Sequence, residues 1–110
     1  MPEKPKRPAI SMAEVAGVFR QALKGDLPVR LKDKNEHWNS FVTICAFYFG
    51  GWEVAFFNDA GELDYTEWVI APDGRKTEFD EWCDSDFVGC PLDELTPDEH
   101  EQMERLISSL

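Results

Sequence analysis

The fold of this chain is decided by residues 41–79, which read FVTICAFYFGGWEVAFFNDAGELDYTEWVIAPDGRKTEF. Runs of aromatic and β-branched residues alternate here with turn-forming segments, which is typical of consecutive strands joined by hairpins. Gly50-Gly51 permits a tight turn because both positions can take positive φ, and Pro72-Asp73-Gly74-Arg75 has a turn composition. We therefore predict an antiparallel meander with strands at Phe41–Phe49, Trp52–Phe57, Tyr65–Ala71 and Lys76–Phe79. A further edge strand is expected within Leu27–Leu31, since Pro28 excludes a central position.

A helix is predicted before the strands, at Ser11–Lys24. Ser11 is a suitable cap and Glu14 follows three residues later, which is the capping-box pattern. Apolar residues then recur at intervals of three and four, so one face of the helix is apolar. Gly25 after a cationic last turn is a typical helix end.

A second helix is predicted at the end of the chain, at Pro97–Leu110. Thr96 is its cap, Pro97 suits the first helical position, and Glu99 completes a capping box. The apolar faces of both helices need a common surface, and the meander provides it. The predicted fold class is α+β, an antiparallel meander of three to five strands with the two helices on one face. Residues 1–10 are expected to be a flexible basic tail, and 11–110 a single domain.

The second face of this sheet is more apolar than a solvated face should be. Strict alternation places Trp52, Val54 and Phe56 opposite Glu53, Ala55 and Phe57. In the next strand it groups Thr66, Trp68 and Ile70 on one face and Tyr65, Glu67, Val69 and Ala71 on the other. Two accounts of the second face stay open: either the Glu81–Leu95 segment covers it, or it is a surface for a partner or a homodimer.

The charge of the chain is concentrated in its second half. Residues 1–58 hold 8 Lys/Arg and 6 Asp/Glu, a net charge of +2, whereas residues 59–110 hold 3 and 16, a net charge of −13. Such a field favours a cationic partner and disfavours direct binding to nucleic acid or to anionic membranes. The alternative is that the acidity only keeps the protein soluble. If it is functional, we expect partner binding at the 80–104 segment, with aromatic anchors among carboxylates, through Asp80, Glu81, Trp82, Asp84, Asp86, Phe87, Asp93 and Glu94.

No motif predicts catalysis or a cofactor. His37 has no nucleophile tied to it by sequence context, and Cys45, Cys83 and Cys90 lack the close pairs of a structural zinc site. The acidic residues at 80–86 do not match a calcium-binding loop and are expected to be solvated. With an odd number of cysteines, no secretory signal and no apolar run of membrane-spanning length, the expected location is the cytoplasm.

Binding to a basic protein, as an inhibitor, an immunity factor or a mimic of nucleic acid, is the preferred functional class. The sequence favours such a role over an enzymatic one. The alternative is a small-molecule binder or an enzyme that uses an aromatic face of the sheet, suggested by Trp52, Trp68 and Phe57.

Five short blocks carry a resemblance to a known group of proteins. They are Gly51-Trp52, Phe57-Asn58-Asp59, Leu63-Asp64-Tyr65, Ala71-Pro72-Asp73-Gly74-Arg75 and Phe79-Asp80-x-Trp82. Together they resemble a family of small uncharacterised bacterial proteins found mostly in pseudomonads, over roughly residues 11–110. The resemblance implies a bacterial cytosolic protein and brings no activity, cofactor or catalytic residue.

Overall fold

Two long helices and a five-stranded antiparallel sheet form the fold of this chain, whose computed structural model describes residues 9–33, 42–82 and 90–110. In chain order the elements are α1 (Met12–Leu23), β1 (Val29–Leu31), β2 (Thr43–Phe49), β3 (Trp52–Asp59), β4 (Glu62–Ile70), β5 (Lys76–Glu78), the short α2 (Phe79–Trp82), a 3₁₀ turn (Pro91–Glu94) and α3 (Pro97–Ser108). Each strand pairs with the next one along the chain, so the predicted meander is confirmed, with β1 at its edge.

Both long helices lie on one face of the sheet, as predicted, and we call it the helix face. The Phe19 ring of α1 lies 5.6 Å from Phe49 and 5.5 Å from Phe56, between ring centroids. Met103 and Ile107 of α3 are fully buried in the same cluster. The apolar stripes of the two helices are thus buried on a shared surface, which stabilises helices of this length. The opposite face is called the back face.

The caps of the two helices follow the sequence closely, with one difference. The Ser11 hydroxyl accepts the Glu14 N–H, but the Glu14 carboxylate pairs with Arg75 instead of returning to the cap. Thr96 and Glu99 form the complete reciprocal box. The first helix therefore has only the Ser11 part of the predicted capping box, and its Glu14 side chain instead connects α1 to the turn before β5.

Strand β4 departs from regular alternation at a β-bulge. Ala55 pairs with Trp68, whereas the next residue, Phe56, pairs with Thr66. Glu67 is consequently an extra residue with no partner position on β3. A bulge of this kind changes the face on which the following side chains lie.

A second irregularity in β4 makes Asp64 another extra residue. Between the two bulges, Tyr65 lies on the back face, as Trp68 does, while Thr66 and Val69 are fully buried on the helix face. The prediction that grouped Thr66 with Trp68, and Tyr65 with Val69, is therefore wrong. Strict period-two alternation cannot anticipate an inserted residue.

After Phe79, the described part of the segment that follows β5 has its apolar residues on the helix face. Trp82 is 3% exposed, and its indole N–H donates to the Ile10 carbonyl at 2.9 Å. Leu92 and Leu95 belong to the helix-face core, and the 3₁₀ turn contacts α1. The described part of Glu81–Leu95 therefore does not cover the back face, and residues 83–89 lie outside the described ranges.

Ala9 and Ile10, the last two described residues of the expected tail, contact β5 and the turn before it. Ile10 is fully buried, and its N–H donates to the Thr77 hydroxyl at 3.0 Å. The Ala9 carbonyl accepts a hydrogen bond from Arg75. The rest of the predicted basic tail, residues 1–8, lies outside the described residues.

Candidate functional site

The back face of the sheet carries aromatic side chains at both of its ends. Cross-strand pairing fixes which residues are neighbours: Arg30, Tyr48, Glu53, Ile70 and Lys76 form one row across the five strands. Ile44, Phe57 and Tyr65 form another row nearer the opposite end of β3. The two rows differ in the charges that accompany their rings.

At the first end, each ring already has a cation of the same chain above it. The Arg30 guanidinium lies 4.5 Å from the centroid of the Tyr48 ring. The Lys76 ammonium lies 5.7 Å from the Trp68 ring. Both distances are within the range of a cation–π interaction.

The carboxylate at this end is also paired. Glu53 accepts hydrogen bonds from the Lys32 ammonium at 3.1 Å and from the Trp68 indole N–H at 3.2 Å. Its side chain is only 15% exposed, and its hydrogen bond and charge raise the pKa of Lys32. We call this region the paired end; it comprises Arg30, Lys32, Tyr48, Glu53, Trp68 and Lys76.

At the other end, three half-buried rings stack against one another. Phe57 and Tyr65 are almost parallel, with centroids 5.0 Å apart and an interplanar angle of 3°. Phe79, at the start of α2, brings its ring to 4.5 Å from Tyr65 at 38°. Tyr65 and Phe79 also pack against the core cluster, so the row exposes only part of its ring faces and edges.

The charges around this stack are all negative among the described residues. Burial raises the pKa of Tyr65 above its usual value, and the charge of Glu67, its hydrogen bond with the phenol, and the charges of Asp64 and Asp80 raise it further. Within the described part of the chain, none of these three carboxylates has a Lys or Arg nitrogen within 4.0 Å. We call this region the open end; it comprises Phe57, Asp64, Tyr65, Glu67, Phe79 and Asp80.

Four of the predicted partner-binding residues lie on the surface. Asp80 and Glu81 are exposed in α2, and the Glu81 carboxylate accepts the Glu78 N–H. Asp93 and Glu94 are exposed in the 3₁₀ turn, where Asp93 also accepts the Cys90 N–H at 2.8 Å. These two pairs lie on different elements, and only Asp80 belongs to the open end.

Of the remaining predicted residues, the described one, Trp82, does not add to this surface. Trp82 is buried and bonded to the Ile10 carbonyl, so it is a core residue and not an exposed anchor. Asp84, Asp86 and Phe87 lie outside the described residues. The half-buried aromatic rings beside carboxylates come instead from β3, β4 and the start of α2.

The aromatic residues that suggested a ligand site are divided between the two faces. Trp52 packs against the helix-face core, whereas Phe57 and Trp68 lie on the back face. The sequence did not single out Asp64, Tyr65, Glu67 or Phe79 as site residues. Two acidic residues three positions apart within a strand of aromatic and β-branched residues are the signal that could have indicated the bulges.

The described ranges contain neither a cluster of metal ligands nor a membrane-spanning helix. Residues 9–33, 42–82 and 90–110 contain no group of three His, Cys, Asp or Glu placed to hold a metal ion. His100, which could have joined such a group, instead has its Nε2 atom 3.0 Å from the Leu63 carbonyl. Among these residues, the helices are too short or too polar to cross a membrane.

The fold and the back face define a small α+β domain with a five-stranded antiparallel meander and an acidic aromatic patch. A family model matches residues 9–109, and the chain belongs to that family, a domain of unknown function (DUF7693). No curated protein and no solved structure matches the chain.

Proposed function

We propose that this protein is a cytosolic interaction module that binds a basic protein partner through the acidic surface of its second half. Such a protein would act as an inhibitor, an immunity factor or a mimic of nucleic acid. The observation that carries this proposal is that, among the described residues, most of these acidic side chains are in no ion pair. Of the 16 acidic residues from 59 onward, two lie outside the described residues, four are in ion pairs, and these are left: Asp59, Glu62, Asp64, Glu67, Asp80, Glu81, Asp93, Glu94, Asp98 and Glu104.

The cations of the same half are all engaged by other acids. Arg75 binds both Asp73 and Glu14, at 2.8 and 3.0 Å. Lys76 pairs with Glu78, and Arg105 with Glu101. Among its described residues, the first half contributes one further cation, Arg20, which bonds Glu99 at 2.9 Å. The field of the second half is therefore directed outward, where it attracts cationic partners and speeds their association.

Charge reversal at matched positions tests this function against a purely solubilising role. Partners captured at low salt are first purified, and the affinity of the basic one is measured with each variant. Glu94→Lys alters the acidic surface, whereas Asp26→Lys makes the same charge change at an exposed position in the turn after α1. We expect Glu94→Lys to weaken binding at least about fivefold, or about 1 kcal/mol, and Asp26→Lys to change it less than about twofold.

Salt provides the second readout. Association with wild type should slow steeply between about 50 and 500 mM salt, because exposed charges are screened over shorter distances. Equal affinity of both variants and wild type, with no salt dependence, would show that the acidic residues act only as a solubility coat.

A further inference from the structure

The open end of the back face carries an inference about what the partner presents. It rests on the proposed function and deepens it. Both ends of this face contain half-buried aromatic rings and a nearby carboxylate. At the paired end, the cations come from the chain itself: Arg30 over Tyr48, Lys76 over Trp68, and Lys32 on Glu53.

At the open end, the rings and carboxylates are present and the cation is not, among the described residues. The Phe57, Tyr65 and Phe79 rings form a continuous wall, with adjacent centroids 5.0 and 4.5 Å apart. Asp64 and Glu67 are the two bulged residues of β4, one on each side of Tyr65 along the chain. Each bulge therefore inserts one acidic residue beside the stack. A regular strand of the same span would lack these two carboxylates.

We propose that the open end is a docking site for an arginine side chain of a basic protein partner. A guanidinium group is flat, so it can stack on an outer ring of the row, Phe57 or Phe79, while its N–H groups donate to carboxylates at the rim. Charge complementarity selects this occupant, since Asp64 and Glu67 lie on either side of Tyr65 along β4 and the exposed Asp80 follows Phe79 in α2. The chain's own Arg30–Tyr48 pair shows the same kind of contact 4.5 Å from a ring on the same face.

An arginine is favoured over a lysine by the shape of the site. A lysine ammonium is a strongly hydrated point charge, and it cannot stack and bond two carboxylates with one planar group. Charge-assisted bidentate hydrogen bonds to carboxylates are a property of the guanidinium fork. We therefore expect the open end to discriminate between two peptides of equal charge.

The test uses the full chain and three short peptides of identical length, which contain arginine, lysine or neutral citrulline at the same positions. Binding is followed by NMR through the aromatic ring signals of Phe57, Tyr65 and Phe79. The arginine peptide should shift these signals and bind at least about fivefold more tightly than the lysine peptide. The citrulline peptide should produce no shift. Failure of the arginine peptide to perturb the stack would overturn the proposal.

Matched neutralisations separate this site from general acidity. The variant Asp64→Asn/Glu67→Gln/Asp80→Asn removes the charge at the stack, and Asp93→Asn/Glu94→Gln/Asp98→Asn removes the same charge elsewhere. The first should weaken the arginine peptide at least about tenfold and the second less than about threefold. Equal weakening by both would refute the arginine site while leaving the proposed function intact. Absence of any basic partner or peptide binding at low salt would refute both.

Changes to the ring itself give a further check that does not alter charge. Tyr65→Phe keeps the middle ring of the row and should retain binding of the arginine peptide, whereas Tyr65→Leu removes the ring that holds Phe57 and Phe79 in one stack and should weaken binding at least about threefold. Circular dichroism and thermal unfolding establish that both variants are folded. Retention of full affinity by folded Tyr65→Leu would contradict stacking. Sedimentation in the absence of peptide tests the competing occupant: a concentration-dependent dimer lost in Tyr65→Leu would assign the stack to a second copy.

Discussion

The paired end and the open end of the back face both combine aromatic rings with carboxylates. They differ in whether a cation of the described chain lies beside those groups. At the paired end, Glu53 is 15% exposed and bonded to both a cation and an indole. At the open end, Asp64 and Glu67 lie beside a tyrosine whose pKa they raise. One end is stabilised by its own contacts, whereas the other holds like charges together without an ion-pair partner in the described chain. The stabilising contacts and the proposed partner-binding residues therefore lie at different ends of one sheet.

The largest expected loss of stability comes from the core beneath both ends, and the smaller effects below are compared with it. Phe56 lies on the helix face, fully buried against Phe19, Phe47 and Phe49. Phe56→Ala should lower the free energy of unfolding by about 3–5 kcal/mol, since it removes an aromatic ring and leaves a cavity. Urea unfolding measures the loss. A loss below about 1 kcal/mol would mean that the core beneath the two ends is not packed as described.

At the paired end, the expected effect is smaller and has a definite sign. Glu53→Ala removes the acceptor of the Trp68 indole N–H and should destabilise the protein by about 1–3 kcal/mol, because a partly buried donor loses its partner. Glu53→Gln keeps an acceptor for the indole and should cost less than Glu53→Ala. Unfolding curves of the two variants check the order, and equal losses would show that the Trp68 hydrogen bond contributes nothing.

The Arg20–Glu99 pair shows how the stability contributed by an ion-paired carboxylate depends on pH. Hydrogen bonds from Arg20 and from the Thr96 backbone lower the pKa of Glu99 from the usual 4.5 to about 2. A carboxylate with a depressed pKa in the folded state stabilises it above pH 4.5, and that stabilisation is lost as the pH falls towards 2.

The variant Glu99→Gln cannot titrate at this position. Its melting temperature should therefore fall less steeply than that of wild type between pH 5 and pH 2.5. Arg20→Gln should flatten the profile in the same direction, because it removes the other member of the pair. Parallel melting profiles for wild type and both variants would exclude a contribution from this pair.

The smallest effect is expected at the open end, with the opposite sign from the paired end. Asp64→Asn/Asp80→Asn removes two like charges near Glu67 and should raise the melting temperature by about 1–2 °C in low salt. The rise should disappear at about 0.5 M salt, since screening already weakens the repulsion. Calorimetry at the two salt concentrations measures it. A fall in melting temperature comparable to that of Glu53→Ala would erase the distinction between the two ends.

Much of the fold could be predicted because its signals are local. The caps at Ser11 and Thr96, the apolar stripes that follow them and the Gly50-Gly51 turn each depend on a few neighbouring residues. The meander follows from the shortness of the turns, which leaves consecutive strands beside one another. These features need no knowledge of distant contacts.

The open end could not be predicted in the same way. Its construction depends on extra residues at Asp64 and Glu67, which appear only when β4 is aligned with β3. Trp82 was assigned to the surface because acidic residues surround it in sequence, but its indole reaches Ile10, 72 positions earlier. Contacts between residues far apart in sequence determine both the bulges and the burial of Trp82. Neither period-two alternation nor local charge density predicts such contacts.

The titration of Tyr65 tests most directly whether the open end is a cation site. In the Tyr48→Phe background, Tyr65 is the single tyrosine of the chain, and its ionisation can be followed by ultraviolet absorbance. Its pKa should lie above 10 in the protein alone, because burial and the neighbouring carboxylates disfavour the phenolate. Saturation with the arginine peptide should lower that pKa by about half a unit or more, whereas the citrulline peptide leaves it unchanged. The same pKa with and without the arginine peptide would contradict a cation bound at the stack.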